Sequence, residues 1–166
     1  MFGRWSTKAV DDAEGHALSA AVRSALPEAD SDTQRVVTAI AGLLGAVAYA
    51  DREYSPSEEA SVRAELGRVR GMTPSGVDAV LKVLREDIVA IATVQAPRYC
   101  RALMELGDQE LRREVLEILV ELAAADGRIS LDEVTLLRNT AQALGLPQAD
   151  YNAVQARHLD KLTIRR

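Results

Sequence analysis

Apolar residues recur at three- and four-residue spacing along nearly the whole chain, which is the pattern of helices with one buried face. The first such segment, residues 8–26, carries Ala9, Val10, Ala13, Ala17, Leu18, Ala21, Val22 and Leu26 and stops at Pro27. A second runs from about Thr33 to Ala50, with Val36, Val37, Ile40, Leu43, Leu44 and Val47 on a broad apolar face. Gly42 and Gly45 inside it predict close packing against a neighbour. Its apolar run, 36–50, falls short of the roughly twenty residues needed to span a bilayer, so it predicts a helix buried on most sides. Ser55-Pro56-Ser57-Glu58 spells a capping box with proline at the first helical position. It opens a third helix that continues to about Arg70 and stops at Gly71. Thr73-Pro74 opens a fourth in the same way. A fifth segment, roughly 88–106, is interrupted by Pro97, which predicts a short helix over 97–106 ending at Gly107. Asp108 caps a sixth over 109–125. Ser130, with Glu133 at the capping-box position, caps a seventh that ends at Gly145, and Pro147 begins an eighth. No run alternates long enough to count as a strand. The pattern predicts an all-α fold, a compact bundle of seven to eight helices.

One short motif appears twice. Ala50-Asp51-Arg52-Glu53-Tyr54-Ser55-Pro56-Ser57-Glu58 aligns without a gap on Ala125-Asp126-Gly127-Arg128-Ile129-Ser130-Leu131-Asp132-Glu133, 75 positions further on. Ala, Asp, Ser and Glu coincide. A long apolar segment precedes each copy and an amphipathic one follows it. This predicts an internal two-fold pseudo-repeat with halves at about 33–90 and 108–160. The halves form a main domain over 33–162, preceded by an N-terminal helix and loop over 1–32, within a single globular unit.

Composition narrows the picture. With 48% hydrophobic but only 4% aromatic residues, the core is built from Ala, Val, Leu and Ile. A formal charge of −5 argues against nucleic acid, whose binders carry a basic face. The lone cysteine, Cys100, allows no intrachain disulfide, fits a cytoplasmic chain, and reads as a small core hydrophobe. His16 and His158 stand apart from any second zinc ligand. The opening residues, including Phe2 and Trp5, lack the apolar region of a signal peptide, and packing is the expected role of these two aromatics.

The two acidic corners admit two readings. In one, Ser55 and Ser130 cap the next helix, Glu58 and Glu133 return the bond, and Gly127 supplies a left-handed stop, so that every shared residue serves the backbone. In the other, Asp51, Glu53, Glu58 and Glu59 at the first corner and Asp126, Asp132 and Glu133 at the second offer oxygen ligands to a hard cation such as Ca²⁺ or Mg²⁺. An EF-hand is excluded: the twelfth place, which needs a bidentate glutamate, is Val62 counting from Asp51 and Leu137 counting from Asp126. No Ser–His–Asp set, glycine-rich phosphate loop or His-x-x-x-His pair is present, which argues against an enzyme.

At these corners the chain resembles the tellurite-resistance TerB-like family. The likeness rests on Ala124-Ala125-Asp126-Gly127-Arg128-Ile129-Ser130-Leu131-Asp132-Glu133, on Leu144-Gly145-Leu146 and on Asp150-Tyr151. The first copy departs from it, with Arg52 in place of the glycine. The resemblance covers about residues 33–160. It implies an all-helical fold, association with bacterial tellurite resistance and stress, and a divalent cation held by Asp51, Glu58, Asp126 and Glu133. The expectation is a cytoplasmic, non-enzymatic module that binds protein partners and a cation through its acidic corners, without nucleic acid or a membrane span. Its rivals are a metal-free interaction scaffold and an enzyme with no readable motif.

Overall fold

Capping chemistry that acts over three or four residues sets most of the helix boundaries. The computed structural model describes residues 17–125 and 127–158. Phe2, Trp5, the predicted helical residues 8–16, Asp126 and the basic tail lie outside the described residues. Helical residues 17–25 (α1) lead to α2 (Ser31–Ala48), α3 (Pro56–Gly67) and α4 (Pro74–Ala90). One turn of π-helix, Ile91–Gln95, joins α4 to α5 (Ala96–Leu106). The chain continues with α6 (Gln109–Ala124), α7 (Leu131–Ala143) and α8 (Gln148–Ala156). No strand occurs among the described residues. Asp30 and Asp108 accept the backbone N–H groups of Thr33 and Leu111 at 2.7 and 2.8 Å and so start α2 and α6. Thr73 does the same for α4, taking the Gly76 N–H at 3.1 Å, with Pro74 behind it.

Two boundaries differ from the sequence reading. α3 ends at Gly67, not near Arg70, because the Arg68 and Val69 N–H groups turn back to the carbonyls of Glu65 and Leu66, both at 3.1 Å. These three-residue closures tighten the last turn before Gly71, which takes φ +88°. The break expected around Pro97 is not a loop. Asp87 kinks α4 (φ −112°, ψ 17°), and the wider π turn then carries the helix on into α5. Pro97, in the first turn of α5, has no N–H to donate, and a local widening absorbs that missing bond without breaking the helix.

α2 is the centre of the molecule. It packs against α3, α4, the π turn, α5, α6 and α7, and residues 41–48 are buried on every side. Gly42 is required there. A Cβ at this position would fall 2.2 Å from Cε2 of Tyr99, whose ring lies directly on the α2 backbone. Leu43, Leu44 and Val47 join Leu84, Leu103, Leu116 and Leu119 in one continuous aliphatic core. Leu18, Val22 and Leu26 of the first helical stretch are part of that same core. Cys100 is buried within it, as read from the sequence, and burial pushes its thiol up to about 11. No helix among the described residues is long and apolar enough to cross a membrane.

Candidate functional site

Among the described residues, the two corners share a three-residue backbone closure and a Ser–Glu capping box. After α2, the Arg52 N–H reaches back to the Tyr49 carbonyl at 2.8 Å, and Arg52 itself takes the left-handed conformation at φ +66°. Asp51 Oδ1 accepts the Glu53 N–H at 3.1 Å, closing an Asx turn. Ser55 Oγ then accepts the Glu58 N–H at 3.2 Å, while Glu58 Oε2 accepts the Ser55 N–H at 2.9 Å. After α6, the Gly127 N–H reaches the Ala124 carbonyl at 2.9 Å, and Gly127 takes φ +83°. Ser130 Oγ accepts the Glu133 N–H at 3.1 Å, and Glu133 Oε1 accepts the Ser130 N–H at 3.0 Å. Both capping boxes and the left-handed stop at Gly127 therefore form as the sequence indicates. Glu58 and Glu133 both sit in a first helical turn, where the positive end of the helix dipole favours a carboxylate.

Tertiary packing then brings the two boxes together. α3 and α7 both lean on α6. Glu58 and Glu133 consequently line one cleft of about 110 Å³, over a floor of Leu122, Ala123 and Ala125. Ser57 and Ser61 form the rest of the wall, with Ser61 Oγ donating to the Ser57 carbonyl at 3.3 Å. The sequence reading passed over these two serines, although their four-residue spacing places them on one helix face.

The other predicted ligands are placed differently. Asp51 is exposed and is not part of the cleft lining. Asp126 lies outside the described residues. Glu53 and Asp132 are exposed, and Glu59 is engaged by Arg85 at 2.6 Å. Among the described residues no group of three or more His, Cys, Asp or Glu is clustered to hold a metal ion. The described part of the cleft thus contributes two carboxylates, one from each corner.

The corners differ in the residue before the cap. Tyr54 is half-buried with its hydroxyl lacking a hydrogen bond among the described residues, and burial, helped by the charge of Glu59, pushes the phenol up to about 12. At the matching place Ile129 is fully buried and faces the same small cavity as Val134 and Leu137. Ile129 and Val134 stand in the positions of a hydrophobic staple.

No curated protein and no solved structure matches the chain. The family model described as tellurite resistance protein TerB matches residues 37–156, from within α2 to the end of α8 and across both corners. With well over half of its length matched, this all-helical chain belongs to the tellurite resistance protein TerB family.

Proposed function

We propose that this domain is a non-enzymatic, stress-associated module that takes a divalent cation of the Ca²⁺ or Mg²⁺ type between its two corners and binds protein partners through that acidic face. The observation that carries this reading is the convergence of Glu58 and Glu133, 75 residues apart, on one cleft. Hard cations take six or more oxygen donors, and waters fill the places that carboxylates leave. Asp51, which lies outside the described lining, and Asp126 stay in this proposal as candidate further donors on the strength of the sequence motif alone. The one cysteine is buried and its thiol is pushed up to about 11, which argues against a cysteine nucleophile in this domain. The lone buried thiol also suits a reducing, cytoplasmic setting.

Chelator-stripped protein titrated calorimetrically with Ca²⁺, Mg²⁺, Mn²⁺ and Zn²⁺ tests the proposal. Glu58→Gln and Glu133→Gln are the informative variants, because glutamine serves a capping box as glutamate does while removing the charge. Each is expected to fold normally and to lose tenfold or more in cation affinity. A ligand at a hundred times its Kd adds about 2.7 kcal/mol of stability, which a melting curve resolves. No heat and no melting shift at millimolar ion would end the cation reading.

A metal-free interaction scaffold is the second reading. It is favoured by the capping boxes, which already use one oxygen of each glutamate, and by the absence of a three-residue ligand cluster among the described residues. The same titration decides between the two.

A further inference from the structure

A second concavity lies on the other side of the first corner. It has a volume of about 340 Å³ and is bounded by the end of α2, the end of α4, the π turn and α7. This is within the usual range for sites that bind organic groups. Its walls are mostly apolar: Ala46, Ala50, Val89, Ala92 and Leu136. Val89 is 57% exposed at this groove. Three polar side chains reach the groove. Thr93 donates its hydroxyl to the Val89 carbonyl at 2.6 Å. Tyr49 and Arg52 make no side-chain hydrogen bond or ion pair among the described residues.

Arg52 is also the one non-glycine described residue with positive φ. Its counterpart in the second corner is Gly127, which adopts that conformation without steric cost. A strained residue that a glycine would relieve, carrying an unpaired charge onto an apolar groove, points to a ligand. The ligand is anionic, to match the guanidinium, and apolar, to match the walls. It carries one charge only, because Asp51 and Glu53 flank Arg52 and repel a second.

We propose that this groove captures the C-terminus of a partner protein ending in an apolar residue, with the terminal carboxylate on Arg52 and Tyr49 and the last side chain against Val89, Ala92 and Leu136. A chain end places a single negative charge and an apolar group on the same carbon. The groove is half-open, which leaves a way out for the rest of the partner chain. This reading is independent of the cation cleft and survives its failure.

The test uses the full chain and ¹⁵N–¹H correlation spectra. The probe is the peptide Ac-Ala-Val-Leu with a free carboxylate, compared with its C-terminal amide, with Ac-Ala-Ser-Ser carrying a free carboxylate, and with octanoate. The free-acid leucine peptide is expected to shift the amides of Tyr49, Arg52, Val89 and Thr93 and to bind at least tenfold more tightly than the amide or the serine peptide. Arg52→Gly is expected to melt higher than the parent and yet to lose tenfold or more in affinity, which separates ligand recognition from folding. Ala92→Trp, which fills the groove, is expected to abolish the shifts. Equal binding of acid and amide, unchanged affinity in Arg52→Gly, or shifts confined to other surfaces would overturn the proposal. Octanoate binding as tightly as the leucine peptide would overturn it too, by making the groove a site for small apolar acids.

Discussion

The two corners share a backbone and differ in what they hang on it. Both place a residue in the left-handed region and then close a Ser–Glu capping box. The second corner does so with glycine at the turn and an apolar staple of Ile129 and Val134. The first puts Arg52 at the turn and Tyr54 before the cap, and it replaces the apolar staple with Glu59, paired to Arg85. The reciprocal cap is therefore what defines the bend. Glycine eases the turn without being needed for it, since the flanking bonds hold Arg52 in place.

Removing the caps should have the largest effect and should hit both corners alike. Ser55→Ala with Glu58→Ala, and Ser130→Ala with Glu133→Ala, are each expected to lower stability by about 1–2 kcal/mol in chemical denaturation. A much smaller loss at the first corner would show that the Glu59–Arg85 pair, not the cap, holds that bend.

Exchanging the turn residues comes next. Gly127→Arg should cost about 1 kcal/mol, the penalty for a side chain in left-handed backbone, while Arg52→Gly should return a fraction of that, because glycine also loses more freedom on folding. Opposite signs in the two melting temperatures would confirm that the two turns share one backbone conformation and that Arg52 is strained in it. Equal signs would break the comparison.

The smallest effect concerns Tyr54. A phenol whose folded pKa is raised contributes stability that is fully present below its unfolded value near 10 and is lost as pH rises through about 12. Tyr99, also about 12, and the Cys100 thiol, about 11, act in the same direction. Stability is therefore expected to fall between about pH 9 and 12. Tyr54→Phe should flatten part of that fall and cost little at pH 7, because the hydroxyl it removes has no hydrogen bond among the described residues. If the variant loses stability with the same alkaline slope as the parent, the phenol is not the titrating group at this corner.

What could be read from the chain alone was whatever acts within about four residues. Ser55, Thr73, Asp108 and Ser130 cap the helices they precede, Gly127 turns left-handed, and the aliphatic spacing marks the buried faces. Each depends on a local hydrogen bond or a local steric limit, so the residue types announce it. The kinked passage through the π turn at Ile91–Gln95 was not legible, because Pro97 signals a missing donor and does not say how the backbone will absorb it. Nor was the exclusion of Asp51 from the lining that Glu58 and Glu133 share, since all three look alike as acids near a bend. Only the packing of α3 and α7 on α6 decided which glutamates line one cleft, and only the meeting of α2, α4 and α7 left a groove beside Arg52. Such approaches follow from how buried side chains of distant segments interlock, as Tyr99 does on Gly42, and no short window of sequence contains that information.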